Sequence, residues 1–163
     1  MKTCYVAALV LAIAVVSCKQ DKRTGDIITK KPVAEVHKTI QKTGDYSQTR
    51  HVNWLGNDYS IIVQRTAETN STVVDEGSGN QYYNNKIVVR ILRKDGTEFF
   101  KREFTKSDFS SYLDDSYNKK GVLLGVVFDR VEGDNMYFAA SVGSPDKLSD
   151  EYIPLVVKVS RTG

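Results

Sequence analysis

The chain has 163 residues and a formal net charge of +3, and its 23 basic and 20 acidic residues are interspersed along the sequence. Binding to nucleic acid requires a basic stripe or patch, so this even distribution argues against nucleic acid as a partner. The only cysteines are Cys4 and Cys18, which leaves the chain after residue 18 without a disulfide, a cysteine metal ligand or a thiol nucleophile.

Residues 1–17 have the pattern of a secretory signal peptide. Lys2 makes the start basic, an apolar run covers residues 5–16, and Ser17 is a small residue directly before Cys18. A helix that crosses a bilayer needs about 20 apolar residues, and runs of about 10 to 14 are typical of a cleaved signal. We therefore expect residues 1–17 to be removed, which leaves 163 − 17 = 146 residues, enough for one domain with its own core.

The end of this segment resembles the bacterial lipobox, with Val15, Val16 and Ser17 before the cysteine. The resemblance implies that a diacylglyceryl group is attached to the sulfur of Cys18, that the signal is then cleaved, and that the new amino group is acylated. Several acyl chains hold a protein stably, since each buried methylene contributes about 0.8 kcal/mol. Cys18 is therefore the predicted lipid anchor, and the membrane is a predicted partner.

Residues 18–31 are mostly polar and indicate a flexible tether, which is followed by a β domain over residues 32–163. Lys19, directly after the cysteine, favours sorting to the outer membrane. Bacteroidetes lipoproteins that reach the cell surface usually carry an acidic cluster here, and Asp21 alone matches that signal poorly. The predicted location is the periplasmic side of the outer membrane, with the cell surface as the alternative.

From residue 32 onward, short β-rich runs alternate with turn residues. The strongest hairpin signal lies within residues 86–104, where two such runs flank the dipeptide at 95–96, Asp-Gly, which suits a two-residue type I′ turn. In that register Val89 faces Arg102 on the predicted core face, and Leu92 faces Phe99 on the other. Arg102 then needs a partner or a place at the sheet edge, where its charge can stay in water.

Other segments extend this pattern. Predicted hairpins join residues 48–55 to 59–65 and 122–131 to 135–142, residues 153–160 form the last strand, and residues 32–40 and 72–75 are weaker candidates. Pro154 cannot donate to a ladder, so the last strand starts there or lies at an edge. One short helix is predicted over about 105–115, because Thr105 and Asp108 have capping-box spacing ahead of an apolar face of Phe109, Tyr112, Leu113 and Tyr117.

Together these elements indicate a mainly β fold. Consecutive hairpins with one inserted helix predict a single-domain antiparallel β-barrel or β-sandwich, two architectures that manage the edges of sheets by closing or stacking them. No internal repeat indicates a propeller or a solenoid.

Three parts of the chain carry a family resemblance. They are the lipobox, the run Asp95-Gly96-Thr97-Glu98-Phe99-Phe100 leading into Phe104-Thr105-Lys106, and the tail with Val142-Gly143-Ser144-Pro145 and Ser149-Asp150-Glu151-Tyr152-Ile153-Pro154-Leu155. They resemble a small uncharacterised lipoprotein family of Bacteroidetes, the domain of unknown function numbered 4738. The resemblance covers most of the chain after the signal and implies one lipid-anchored domain. It brings no catalytic or binding residues.

Motifs for catalysis or metal binding are weak. His37 and His51 are the only histidines, each on its own predicted strand, so a zinc site would need further ligands from elsewhere. The acidic residues at 129, 132 and 134 lack the spacing of a calcium loop. The sequence at 77–79, Gly-Ser-Gly, does not have the spacing of a nucleophile elbow. We predict no catalytic residue, no metal and no cofactor.

Aromatic residues are the one feature that suggests a ligand. Trp54 and the adjacent Tyr82 and Tyr83 could offer flat rings to a sugar or a peptide, because one of two neighbours on an extended segment must face outward. With Arg102 they form the candidate ligand-binding set. Packing in the core or at its rim is the simpler interpretation of these rings.

Three functions remain open. The first, which we favour, is a non-catalytic binding or accessory module of the cell envelope that recognises a protein, a peptide or a glycan. The second is a barrel with a small-molecule cavity lined by residues such as Trp54, Ile61, Val89, Phe100 and Arg102. The third, which ranks last, is a hydrolase, with Asp129 and Asp134 as its only carboxylate candidates.

Overall fold

The computed structural model describes residues 39–71 and 73–163. The predicted signal peptide, the tether, Cys18, His37 and most of the strand candidate at 32–40 lie outside these residues. The described elements are β1 (Tyr46–Trp54), β2 (Asn57–Glu68), β3 (Val74–Asp75), β4 (Gln81–Tyr82), β5 (Asn84–Arg93), β6 (Glu98–Phe104), a 3-10 helix (Lys106–Tyr112), α1 (Asp115–Lys120), β7 (Val122–Glu132), β8 (Asn135–Gly143) and β9 (Tyr152–Ser160). The prediction of a mainly β fold with a short helix is confirmed.

The strands form two main sheets and a small ribbon. The first sheet has the order β1-β2-β5-β6, the second has the order β7-β8-β9, and β3 pairs with β4. Each ladder between strands is antiparallel, and hairpins between consecutive strands account for most of the pairing, as the sequence predicted. Of the two architectures left open, the described residues form a sandwich and no closed barrel.

The core lies between the two main sheets. From the first sheet, β5 contributes Ile87, Val89 and Ile91, which are almost completely buried. From the second sheet, Val126 and Phe138 belong to the same buried cluster. The buried residues of β5 alternate along the strand because successive side chains point to opposite faces. The core face predicted for the hairpin at 86–104 is therefore confirmed.

The register of the β5–β6 hairpin follows the prediction up to a β-bulge. Val89 pairs with Arg102 as expected. Beyond this point Leu92 pairs with Glu98, so Phe99 is the extra residue of the bulge and does not face Leu92 as predicted. The bulge allows the Phe99 ring to pack against the ring of Trp54, at 5.6 Å between centroids.

The turn between β5 and β6 is longer than predicted. The Arg93 N–H donates to the Thr97 carbonyl at 2.8 Å, and at this turn only Gly96 has a positive φ, of 84°. The Asp95 carboxylate accepts bonds from the Thr97 N–H (2.9 Å) and hydroxyl (2.7 Å), and these bonds lower its pKa. The two-residue type I′ turn predicted at 95–96 is therefore wrong, because the Asp95 side chain stabilises a longer loop.

A type I′ arrangement occurs instead between β1 and β2. Trp54 pairs with Asn57, and both residues of the intervening loop have positive φ, 52° at Leu55 and 76° at Gly56. The sequence placed this turn at 56–58. A left-handed backbone costs a leucine roughly 1–2 kcal/mol, since its Cβ crowds the following carbonyl.

The predicted helix at 105–115 is present in two pieces. The 3-10 helix begins after Thr105, whose N–H donates to the Asp108 carboxylate at 2.8 Å in the predicted capping interaction. Phe109 is buried, whereas Tyr112 is exposed, so the predicted apolar face is correct only in part. A second start at Asp114, which accepts from the Tyr117 N–H at 3.0 Å, begins α1 beyond it.

The last strand, β9, lies at the edge of the second sheet, which agrees with the prediction for Pro154. In the part of the chain that the structure describes, no helix is long and apolar enough to cross a membrane.

Candidate functional site

A groove lies beside the edge strands of the two sheets. It is lined by residues of β6, the 3-10 helix and β9, has a volume of about 430 Å³, and we call it the edge groove. Both strands are last in the order of their sheets, so neither has a further strand beyond it among the described residues. The lining consists of Arg102, Phe104, Asp108, Phe109, Tyr112 and residues 154–157.

The surface of the edge groove is mainly apolar. Phe104 and Phe109 are buried in its wall and stack at 6.0 Å between ring centroids. Two apolar side chains project into water beside them, Tyr112 with 72 % of its surface exposed and Val156 with 68 %. Exposed apolar residues that adjoin a groove are typical of a surface that contacts another molecule.

The same apolar surface continues around β9 onto the outer face of the second sheet. Val127 pairs with Ala139, and Ala139 pairs with Val156, so the three side chains form one row across the sheet. All three are exposed. The row and the edge groove share Val156, which makes them parts of one surface.

Arg102 provides the polar rim of the edge groove. Its guanidinium contacts the Asp108 carboxylate at 3.2 Å and lies over the Phe104 ring, 5.0 Å from the centroid. Burial tends to raise the pKa of Asp108, but hydrogen bonds from Thr105 and Arg102 lower it by more, so the net pKa is below the usual range. The rim therefore presents one exposed ion pair beside apolar walls.

A second cavity, of about 570 Å³, is lined by other residues of the 3-10 helix, by two residues of α1 and by the start of β5. We call it the Lys106 cavity because the ammonium group of Lys106 is half-buried in its wall. Desolvation by burial lowers the pKa of Lys106. The other polar groups that line it include Glu68, Asn84, Ser107 and Lys119.

The sequence of this chain matches one known protein family. The family model described as a domain of unknown function, DUF4738, matches residues 26–163. The chain belongs to the DUF4738 family. No curated protein matches the chain. The family number agrees with the resemblance found in the sequence, and its description names no activity.

Within this DUF4738 chain, Trp54 is a core residue. Only 2 % of its surface is exposed, its indole N–H donates to the Gly133 carbonyl at 3.1 Å, and its ring packs against Tyr59. Together with Ile61 and Val89, two other residues suggested for a small-molecule cavity, it belongs to the packed cluster between the sheets.

The structure does not bring the four predicted ligand-binding residues together. Tyr82 is buried in the β3–β4 ribbon, and the half-buried Tyr83 donates its N–H to the Gln41 carbonyl. Tyr82 and Tyr83 precede the start of β5. Trp54 lies near the other end of this strand, because its ring packs against Tyr59, and Tyr59 pairs with Arg93, the last residue of β5. With ten residues, β5 separates these ends by about 30 Å. Of the four, only Arg102 lines the edge groove.

The other candidate residues make local contacts. His51 lies 3.0 Å from the Ser60 hydroxyl, and among the described residues no three histidine, cysteine or acidic side chains form a group that could hold a metal ion. Asp129 is bonded to Arg130 at 2.6 Å, and Asp134 lies 3.8 Å from Arg161. Each of these two carboxylates thus has a basic neighbour.

The sequence alone indicates one exposed residue of the edge groove, Val156, and misplaces another, Tyr112. Residues 155–157, Leu-Val-Val, form an unbroken apolar run on an edge strand, where a half-buried strand should alternate. Val156 is therefore apolar on a face where a polar residue is expected. Tyr112 was placed on the buried face of an α-helix, but the helix is of the 3-10 type and leaves the ring exposed.

Proposed function

We propose that this DUF4738 chain is a non-catalytic binding module of the cell envelope, and that it recognises an extended apolar peptide segment of a partner protein through the edge groove. One observation carries the proposal: Tyr112 and Val156 are exposed beside a groove whose wall contains buried aromatic rings. Burial of such apolar surface is the dominant favourable contribution to most protein association.

The shape of the groove favours an extended segment over a small molecule. Four consecutive residues of β9, 154–157, line it, which is the kind of long wall that an extended chain can follow. Direct strand addition to β9 is opposed by Pro154, which lacks an N–H, and by Lys158, since both are typical protectors of an edge. We therefore propose recognition mainly through side chains.

The polar rim adds direction to this recognition. The arginine of the Arg102–Asp108 pair is exposed, so a polar group of the peptide can replace water at the guanidinium. The apolar side chains of the peptide would then contact Tyr112 and Val156. The proposed role needs no catalytic group. The carboxylates of Asp129 and Asp134, considered for a hydrolase, lie outside the lining of the groove.

Selection from a displayed library of random peptides tests this proposal. We expect the full chain to enrich apolar peptides, and Val156→Lys to weaken their binding about tenfold or more, as loss of a central apolar contact does. Leu148→Lys is the matched control, because Leu148 is 92 % exposed and lies outside the groove. Failure to enrich peptides, binding of glycans alone, or equal effects of the two substitutions would contradict the proposal.

We further propose that the module is held at the membrane by lipid on Cys18, on the periplasmic side of the outer membrane. The support is the signal pattern and the lipobox resemblance at residues 15–18. Mass spectrometry of the chain from its native host provides the test. We expect the mass of a chain that starts at Cys18 and carries acyl groups, and Cys18→Ser should abolish both cleavage at that site and acylation. An unmodified full-length chain in the cytosol would exclude the anchor.

A further inference from the structure

The Lys106 cavity carries an inference that goes beyond peptide recognition. We propose that it binds the carboxylate group of a small organic acid, with the Lys106 ammonium and the Asn84 side-chain amide as the two donors. Carboxylates accept hydrogen bonds in a plane from several donors, and a charged donor strengthens such bonds. The contacts of these two residues support the assignment.

Lys106 is a half-buried cation that no carboxylate neutralises. Its ammonium donates to the carbonyls of Asn118 (2.8 Å) and Gly121 (2.9 Å), at the C-terminal end of α1. None of the ion pairs among the described residues includes Lys106, and burial lowers the pKa of its ammonium. An ammonium has three donors, so one remains for a ligand.

Asn84 is a second donor with a fixed direction. It is 92 % buried, since 8 % of its surface is exposed, and its side-chain oxygen accepts bonds from the N–H groups of Asn85 (3.0 Å) and Leu123 (3.2 Å). Because both neighbouring groups are donors, the side-chain atom that they contact must be the amide oxygen. The NH₂ group of Asn84 therefore points in the other direction. Among the described residues, no acceptor is bonded to that NH₂ group, and Asn84 lines the cavity.

The charge and shape of the cavity select the class of ligand. Lys106 and Lys119 are positive and Glu68 is negative, so the lining carries a net charge of 2 − 1 = +1, which matches one carboxylate better than a doubly charged phosphate. Val73 and Val74 provide an apolar wall for the carbon chain of the acid. The volume of about 570 Å³ lies within the usual range of small-molecule sites.

Nuclear magnetic resonance of the lysine side chains tests the proposal on the full chain. Butyrate is the probe, and neutral butyramide and inorganic phosphate are its matched controls. We expect millimolar butyrate to shift the Cε–Hε signal of Lys106 and to raise the pKa of its ammonium, because a bound anion favours the charged form. Butyramide and phosphate should do neither. Equal shifts with all three compounds, or no shift with butyrate, would overturn the proposal.

Substitutions provide the second arm. We expect Lys106→Gln to weaken butyrate binding about tenfold or more, as loss of a charged donor does. Lys101→Gln, at an exposed lysine of β6 outside the cavity lining, should leave binding unchanged. The Lys106→Gln variant could unfold because the carbonyls of Asn118 and Gly121 lose their donor. In that case Lys119→Gln, which changes another lysine of the cavity lining, should still weaken binding. Retained binding in every folded cavity variant would overturn the proposal. Val156→Lys should bind butyrate normally, which separates this site from the edge groove.

Discussion

Asn85 on β5 donates its side-chain amide to the carbonyl of Leu123 on β7, at 2.8 Å, and so joins the two sheets of the sandwich. Asn84 accepts from the N–H of the same leucine, at 3.2 Å. Both backbone groups of Leu123 are therefore satisfied by neighbouring asparagines of the opposite sheet. These two hydrogen bonds hold β7 against β5, and one of them fixes the side chain of Asn84, which lines the Lys106 cavity.

Removal of the Asn85 amide should destabilise the fold. Asn85 is fully buried, and Asn85→Ala leaves the Leu123 carbonyl and the Thr43 hydroxyl without this partner. We expect the free energy of unfolding to fall by about 2 kcal/mol, the usual cost of unsatisfied buried polar groups. Denaturant titration measures the change. Asn53→Ala is the control, since Asn53 is exposed, and a loss as small as in that variant would show that the contact is dispensable.

The left-handed backbone at Leu55 should be relieved by asparagine. Leu55 has a φ of 52° in the turn between β1 and β2, and its side chain is half-exposed. Because asparagine tolerates this conformation better than leucine, Leu55→Asn should raise the free energy of unfolding by about 0.5–1 kcal/mol. Leu148→Asn, at an exposed leucine with negative φ, should have no such effect. Equal changes in the two variants would refute backbone strain at Leu55.

Trp54 should matter for stability and not for ligand binding. Trp54→Phe keeps a ring in the core but removes the N–H bonded to Gly133, so we expect a loss of about 1–3 kcal/mol, measured by circular dichroism during denaturation. Tyr83→Phe, which removes the hydroxyl of a half-buried tyrosine, should change stability by less than about 0.5 kcal/mol. A stable Trp54→Phe variant would indicate that this ring is free for another role.

Asp108 should make the fold sensitive to acid. Burial opposes the charge of this carboxylate, but bonds from Thr105 and Arg102 outweigh it and lower the pKa. A carboxylate whose pKa is lowered by folding stabilises the fold fully at pH values above the ordinary carboxyl pKa. This contribution is lost as the pH falls through the lowered pKa of the folded state. Asp108→Asn should therefore cost about 1 kcal/mol near neutral pH and progressively less in acid.

Thermal unfolding at a series of pH values measures this difference, and Asp134→Asn, at an exposed and weakly paired carboxylate, is the control. A gap between wild type and Asp108→Asn that stays constant into acid would show that the charge of Asp108 contributes nothing.

The sequence predicted the parts of the fold that depend on local pattern. The alternation along β5 and β6 identified the core face and paired Val89 with Arg102, because one buried face specifies register strongly. The turn at 95–96 was misjudged because the bonds of the Asp95 side chain with Thr97 decide its length. Turn propensity alone does not contain these contacts.

The candidate site was harder to predict because it depends on contacts between distant parts of the chain. Trp54 has the flat ring that a ligand platform needs, yet its indole N–H donates to the carbonyl of Gly133, 79 residues away in the sequence. Tyr82 is buried through pairing of a two-residue ribbon that has no periodicity to detect. Arg102 was assigned to the correct face and edge, whereas the groove beside it requires β9, whose packing position no local pattern reveals.

Amide hydrogen exchange on the full chain, with and without a selected apolar peptide, tests peptide recognition by the edge groove most directly. We expect the peptide to slow exchange at residues 155–157 and 102–104, with less effect at the turn of residues 94–97, which lies at the Trp54 end of the first sheet. Protection confined to that turn or to β1, with the groove unchanged, would contradict the proposed function.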